Sequence, residues 1–510
     1  MPPSAININT DLSTIAPELI IMALSIVLLI GELIVRPARK QVLTVVSVVG
    51  YAVALVVCVV FFFAQGAPRD AFSGMIVLDK LGLWFRILAL LSALIGVVFA
   101  ANYIEEKGMP LGDFYSILAM ATLGMMIVAT AHDLTLIFVG IELSSISTYI
   151  MTGFARNNKL SNEAALKYFL LGTFATAILV YGMAWLYGMT GTTNIPLIAQ
   201  QVRTIVTTGQ SGQGGLLLAM LLLIAGLGFK VAAVPFHMWT PDAYQGAPTP
   251  VSAIMSVGPK ATGFAAIVRI MVEALGPAWQ QWVPVIAVLA VLTMTVGNVI
   301  GLSQRSVKRM LAYSSIAHTG YVMVALASYN PALIGGPNGN QAIASLLFYL
   351  FAYVIMNMGA FGLVIWMERN GGTEYLDDFR GLSTWAPLPA ATMLILMLSL
   401  AGIPPTIGFL AKYYVFLAAV QANLTWLAVI GVLNSAVGTF YYLRVIWYMY
   451  FEPAQTTLVD RRAPLVSGGL VVTALATVVL FILGGVFLSM TQLSIPLQPV
   501  ADSIKGLAGR

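Results

Sequence analysis

The sequence predicts an all-α polytopic membrane protein with about 14 transmembrane helices, two inverted five-helix repeats, and breaks in helices 7 and 12. Three observations carry this. The chain has 510 residues, of which 59% are apolar and only 9% charged, with a mean hydropathy of +0.91; soluble proteins carry about 25% charged residues. Apolar runs of about 18 residues or more, long enough to cross a bilayer, recur along the whole length. A faint internal copy recurs at an offset of five such runs.

The runs lie near 15–35, 41–64, 79–102, 113–131, 133–155, 164–188, 214–240, 249–275, 281–303, 307–328, 341–367, 384–419, 424–451 and 464–489. The seventh contains Pro235. The twelfth is too long for one straight span and contains "AGIPPTIGF". No loop is long enough for a separate soluble domain, and the fragments at 209–215 and 330–340 read as flexible connections. The expected organisation is 1–110 for helices 1–3, 111–278 for a first repeat of helices 4–8, 279–455 for a second, inverted repeat of helices 9–13, and 456–510 for helix 14 and the tail.

Composition also excludes classes of function. The net charge of +5 comes from bases dispersed between apolar runs, which does not suit nucleic acid. Cys58 is the single cysteine, so no intramolecular disulfide, iron–sulfur cluster or structural zinc set is expected. His132, His237 and His318 are far apart, and no Gly-rich phosphate loop follows a strand pattern. No cofactor or metal site is expected. The first residues lack a basic region, so no cleaved signal peptide is expected.

Basic residues set the expected orientation. Loops after odd-numbered spans hold thirteen (Arg36, Arg39, Lys40, Lys107, Arg156, Lys159, Arg305, Lys308, Arg309, Arg369, Arg380, Arg461 and Arg462), and the opposite side holds five (Arg69, Lys80, Arg203, Lys505 and Arg510). Both termini are therefore expected outside the cytoplasm. Seven bases remain inside spans. Arg269, with Glu273 four residues on, and Arg444 lie near span ends and read as snorkelling anchors. Arg86, near Asp79, and Glu32, one turn before Arg36, read the same way.

Lys230, Lys260 and Lys412 resist that reading, as does Glu142 in the middle of span 5. A charge at the bilayer centre costs about 2.5–3.5 kcal/mol on insertion scales, and intramembrane ionisable groups are functional candidates by default. One acid cannot statically pair three bases. Lys167, near the start of span 6 with Glu163 one turn before it, reads equally as a surface pair or as a member of the set. Thr249, Ser252, Ser256 and Lys260 recur at helical spacing and form one polar stripe on span 8. Glu142, Ser145 and Tyr149 share a face of span 5; Ser314 and His318 share one on span 10.

The internal copy is local but ordered. Ser144-Ser145-Ile146 matches Ser314-Ser315-Ile316 at an offset of 170, and Pro235 matches Pro404 at 169. Five spans is an odd number, so the second copy is inverted in the membrane. Inverted repeats with proline-broken helices in corresponding places mark transporters. The freed backbone groups need water or polar partners, and water is expected there, beside Lys230 and Lys412. Moving a carboxylate away from a buried lysine favours proton release, and bringing it back favours recapture. No nucleotide, flavin, haem or cluster site is legible, so driving energy must come from a partner subunit or a second ion.

Three stretches then carry a resemblance: "GFKVAAVPFHMWTPDAYQGAPTPVSAIMSVGPK" (228–260), "SQRSVKRMLAYSSIAHTGY" (303–321) and "LAGIPPTIGFLAKYY" (400–414). They resemble the proton-translocating family shared by respiratory complex I, Mrp-type antiporters and membrane-bound hydrogenases. The resemblance covers nearly the whole chain. It implies fourteen transmembrane helices, with helices 4–8 and 9–13 as inverted repeats. It also implies roles in proton translocation for Glu142 on helix 5, Lys167 on helix 6, Lys230 on broken helix 7, Lys260 on helix 8 and Lys412 on broken helix 12. His318 matches less firmly, as a relay between half-channels or a structural hydrogen bond. The chain stops soon after span 14, without the long lateral helix of L-type members, and M-type members carry glutamate where Lys412 stands. Both points favour the N-type branch.

The implied setting is a bacterial inner membrane. The implied partners are the other membrane-arm subunits of complex I and membrane lipid, with NADH and quinone bound by other subunits. The implied activity is that of a non-redox subunit of a proton-translocating oxidoreductase. Rival readings are a cation/proton antiporter or membrane-bound hydrogenase subunit, a redox chain binding quinone itself, and a structural scaffold.

Overall fold

A computed structural model of the chain describes residues 8–36, 39–208, 213–331, 341–454 and 464–494. Most of both expected flexible connections lies outside these residues, as do Arg461, Arg462, Lys505 and Arg510. Among the described residues thirteen helices are long and apolar enough to cross a membrane, and two shorter ones, Pro387–Ala401 and Ile407–Gln421, supply a further crossing between them. In chain order the spans are 1 (Ala16–Ile34), 2 (Gln41–Ala64), 3 (Lys80–Ala100), 4 (Leu111–Thr130), 5 (Leu134–Thr152), 6 (Lys159–Thr190), 7a (Gln213–Val231) with 7b (Trp239–Gly246), 8 (Thr249–Ile267, continued by a π turn at Val268–Ala274), 9 (Trp279–Gly301), 10 (Val307–Ala327), 11 (Gln341–Arg369), 12a and 12b (the two short helices), 13 (Thr425–Phe451) and 14 (Pro464–Ile482). They follow the expected runs in order.

Spans 8, 10 and 11 form the centre: 94%, 94% and 100% of their apolar windows are buried, against 28–33% for spans 1, 2, 6 and 14. The peripheral helices therefore offer apolar surface to lipid or neighbours, and the central ones hold polar side chains away from both.

Loop contacts follow the alternation of sides. The hairpin pairing Arg69–Ala71 with Ile76–Leu78 follows span 2 and bonds to the turn after span 4 through His132 N–H to Met75 O, 2.8 Å. That turn pairs with the segment after span 6 at Asp133 and Asn194. At the other end, Val307 N–H at the head of span 10 donates to Glu374 O after span 11, 2.7 Å.

Both broken helices break at cis prolyl bonds, Val234–Pro235 and Pro404–Pro405. An α-helical carbonyl is normally met by the N–H four residues on, and proline has none. Val231 O, Leu400 O and Ala401 O face Pro235, Pro404 and Pro405 in this register. Side chains replace the missing donors. Thr319 Oγ1 donates to Val231 O at 2.8 Å, while Lys412 Nζ donates to Leu400 O and Ala401 O at 3.0 and 2.8 Å. At the first break Val234 N–H donates to Thr293 Oγ1 and Trp239 Nε1 to Phe229 O. Protein donors thus meet all three carbonyls, and Val231 O and Leu400 O each keep a second lone pair for the expected water.

Two of the expected anchors are not anchors. Arg269, on the π turn of span 8, is 1% exposed. It is held by Asp79 (2.7 and 2.8 Å), Glu273 (2.7 Å) and the Ala129 carbonyl (3.0 Å). Arg86 is fully buried and pairs with Glu18 of span 1 at 2.7 Å, not with Asp79. Snorkelling fails because both side chains point into the helix bundle, where three carboxylates compensate their charge. Glu32 bonds Lys40 rather than Arg36 and also accepts from Gly112 N–H at the head of span 4. Arg444 behaves as an end residue, donating to the Leu302 and Gln304 carbonyls after span 9.

Removing one partner of a buried ion cluster strands the others. Asp79 also caps span 3 through Gly82 N–H at 2.7 Å. Asp79→Ala is expected to cost about 3–5 kcal/mol, read as a lower thermal midpoint and less protein in the membrane. An unchanged midpoint would show that Glu273 alone holds Arg269.

Candidate functional site

Glu142 and Lys230 meet at the junction of spans 5, 6 and 7a. Their charged atoms are 3.5 Å apart, and their side chains are 24% and 9% exposed. Two hydroxyls complete the group. Ser145 Oγ accepts from Lys230 Nζ at 2.9 Å, and Thr176 Oγ1 donates to Glu142 at 2.8 Å while lying 3.5 Å from Lys230 Nζ. The shared face of Glu142 and Ser145 is thus used as the helical spacing predicted. The pair is longer than the 2.7 Å arginine pairs of the core and borders the outside of the chain.

Lys260 is 3% exposed and has no carboxylate partner among the described residues. Its ammonium donates to Ser315 O (2.7 Å), Ser315 Oγ (2.5 Å) and Thr319 Oγ1 (3.2 Å), all on span 10. Thr319 is the hydroxyl that serves Val231 O at the first break. One hydroxyl therefore joins Lys260 to the end of the helix that carries Lys230. Gly263 lets these elements approach: a Cβ there would lie 2.7 Å from Val231 and 3.4 Å from the Lys230 side chain.

His318 is 2% exposed and held at both ring nitrogens, Nδ1 to the Tyr349 hydroxyl (2.7 Å) and Nε2 to the Tyr442 hydroxyl (3.1 Å). Ser314 Oγ meets Tyr442 at 2.5 Å, so Ser314 and His318 do share a face. From Tyr442 polar contacts continue to Tyr441 (3.4 Å), from Tyr441 to Asn298 Oδ1 (2.9 Å), and from Asn298 Nδ2 to the Tyr321 hydroxyl (3.1 Å). Lys412 Nζ sits 5.1 Å from the centre of the Tyr321 ring. It also donates to Ser435 Oγ at 2.8 Å. Lys412 is 6% exposed and, like Lys260, touches only neutral groups among the described residues.

Lys167 lies apart. Its side chain is 47% exposed and bonds Glu163 (2.8 Å) and Asp242 of 7b (3.0 Å), the latter shared with Arg309. The structure thus brings together Glu142 with Lys230, joins Lys260 to the first break through Thr319, and sets His318 in a tyrosine–asparagine network whose Tyr321 ring faces Lys412; Lys167 is at the surface end of a charged network. Sequence reasoning missed Thr176, Thr319, Asn298 and the tyrosines 321, 349, 441 and 442. A hydroxyl or phenol in a span is unremarkable by itself, although Thr319 stands one helical turn after Ser315.

This arrangement resembles known chains. A family model described as NADH:quinone oxidoreductase/Mrp antiporter, transmembrane, matches residues 131–438, which include all six candidates. NADH-quinone oxidoreductase subunit N of Trichlorobacter lovleyi is 44% identical over 492 residues, covering 96% of this chain and 97% of that one. A chain of respiratory complex I from Thermus thermophilus with bound aureothin superposes with a TM-score of 0.77 at 32% identity, covering 94% of this chain and 100% of that one. A chain of the Mrp complex from Dietzia sp. DQ12-45-1b has the same fold, with a TM-score of 0.80 at 21% identity, covering 97% and 99%.

Gly402 ends 12a with φ +85°, and a Cβ there would lie 2.8 Å from Lys412 Cδ. Gly402→Ala carries about 1–2 kcal/mol of left-handed backbone strain and pushes Lys412 off the two carbonyls. Assembly with reduced proton transport is the expected outcome; full transport would show that Lys412 does not depend on this seat.

Proposed function

We propose that the chain, which belongs to the NADH:quinone oxidoreductase/Mrp antiporter transmembrane family and within it to the subunit N group, carries protons across the membrane through Glu142, Lys230, Lys260, His318 and Lys412. It is a multi-pass membrane subunit of an oxidoreductase complex of the respiratory chain. In this reading it works as a translocase subunit in the bacterial inner membrane, with NADH and quinone handled by other subunits and the neighbouring membrane subunits supplying the driving movement.

The observation that carries the reading is the asymmetry between Lys230, which has a carboxylate 3.5 Å away, and Lys260 and Lys412, which have only neutral partners. Separating Glu142 from Lys230 withdraws the group that favours the ammonium form. The proton then leaves toward Thr319 and Lys260. Glu142 is the most exposed member of the pair, so a neighbour can act on it without entering the core. His318 and its tyrosines lead on to Lys412. Lys167 acts from the side, holding 7b through Asp242. The two halves, 111–278 and 279–455, are read as inverted repeats with one break each.

A cation/proton antiporter subunit is the second reading; the 21% identity to an Mrp chain supports a common fold only. Cation-stimulated proton flux without NADH or quinone would favour it.

Glu142→Gln keeps size and hydrogen bonding but removes the charge. NADH-linked proton uptake, normalised to assembled complex, is expected to fall about tenfold or more, and Lys230→Ala to behave alike. The double variant should be no worse than the worse single, since residues acting as one unit are non-additive. Full pumping by assembled Glu142→Gln would leave the glutamate a structural partner only.

Orientation has its own test. Cys58 is buried, so single introduced cysteines can be read against it. Asn157→Cys, in the loop after span 5, should react with an impermeant maleimide only from the cytoplasmic side, and Arg69→Cys only from the other. The reverse pattern would invert the topology.

A further inference from the structure

Outside the proton path just proposed, one carboxylate stands at the mouth of the span 8 stripe. Glu368, near the end of span 11, is partly exposed. Its two oxygens accept from Thr249 Oγ1 at 2.7 and 2.8 Å, and one also accepts from the Tyr103 hydroxyl at 2.8 Å. Thr249 is fully buried and opens span 8. Glu368 makes no ion pair among the described residues. The nearby charges are engaged elsewhere: Arg369 bonds Glu106 at 3.0 and 2.5 Å, and Lys308 bonds the Ala247 carbonyl and faces Glu374 at 3.7 Å.

From Thr249 the stripe runs inward through Ser252 and Ser256 to Lys260, eleven residues or roughly 16 Å along the helix. Span 11 runs antiparallel beside it and presents its own polar residues, with Tyr349, Tyr353 and Asn357 at four-residue spacing. The two stripes meet where Asn357 Nδ2 donates to Ser256 Oγ at 2.6 Å. Asn357 is fully buried, and its Oδ1 has no hydrogen-bond partner among the described residues. An unpartnered buried acceptor is where an ordered water would bind; Ser256 Oγ beside it donates to the Ala253 carbonyl at 2.6 Å. At the inner end, the ring of Tyr353 lies 4.9 Å from that of His318, tilted by 31°.

We propose that Glu368 is the carboxylate that collects a proton from the aqueous face and passes it, along Thr249, Ser256 and the Asn357 amide's water seat, to Lys260. This rests on the proton-carrying function proposed above. Hydronium gives a proton to the Glu368 carboxylate and leaves as water. The Ser252 and Ser256 hydroxyls donate to the Tyr244 and Ala253 carbonyls, so the carboxyl group gives its proton to water that fills the roughly 10 Å between Thr249 and Ser256 and the step on to Lys260, each water accepting one proton and releasing another. The proton ends on the free amine of Lys260, which becomes the ammonium. Partial exposure at one end and a buried hydroxyl at the other suit this role. The alternative is that Glu368 only caps span 8.

The test measures NADH-linked proton uptake by the assembled complex in inside-out vesicles, as a function of pH on the Glu368 face. Glu368→Gln, Glu368→Asp, Thr249→Val and Lys260→Met are compared. Glu368→Gln keeps an oxygen acceptor but cannot ionise. Its uptake is expected to fall about tenfold, most at the alkaline end where protons are scarce, while Glu368→Asp recovers most of the rate. Thr249→Val should show the same alkaline loss, and it decides the case if Glu368→Gln does not assemble. An unchanged pH profile in Glu368→Gln, or in Thr249→Val, would overturn the proposal. So would an equal loss at every pH that Glu368→Asp shares, which is the signature of a cap. Normal pumping by Lys260→Met would instead overturn the proton path itself.

Discussion

A carbonyl inside a bilayer must be given a donor, because hydrocarbon offers none. In this chain three mid-membrane carbonyls face prolines in helical register. The donors that replace the missing amides are Thr319, which also contacts Lys260, and Lys412 itself. The broken helices and the buried bases thus depend on each other. Without the breaks Lys412 would lack two of its three acceptors. Without Lys412 and Thr319 the breaks would leave polar groups unmet.

The same constraint sorts the buried charges. Arg86 and Arg269 are chelated by carboxylates at 2.7–2.8 Å and hold helices together. Among the described residues Lys260 and Lys412 hydrogen-bond only to hydroxyls and carbonyls, groups that accept from an ammonium and tolerate a neutral amine. Lys230 stands between these cases, with one carboxylate at 3.5 Å and a hydroxyl at 2.9 Å. Arginine cannot release its proton in such a setting, whereas lysine can. Residue type and partner type therefore both separate the two arginines, held by carboxylates, from the lysines of the proposed proton path.

Most of the fold was legible because crossing a bilayer imposes length and apolarity on each span. The two breaks were legible as Pro235 and the Pro404–Pro405 pair. The ionisable residues stood out because each is expensive in an apolar run. Partners were harder. Arg86 read as an anchor near Asp79, yet Glu18, sixty-eight residues earlier, holds it; sequence position cannot show which helix faces which. Thr319 and the tyrosines around His318 were invisible for a different reason: their hydroxyls are common in spans, and only geometry distinguishes a relay from packing. Lys167, open to either reading, lies at a surface network.

The central claim is that the contact between Glu142 and Lys230 opens and closes as protons pass. The most direct measurement is high-resolution electron cryomicroscopy of the assembled complex at rest and during NADH turnover, with the Glu142–Lys230 separation read in each class of particle. The result expected is the 3.5 Å contact at rest and a second population in turnover, with the pair separated and Lys230 Nζ moved toward Thr319. A single population that keeps the contact throughout active pumping would contradict it.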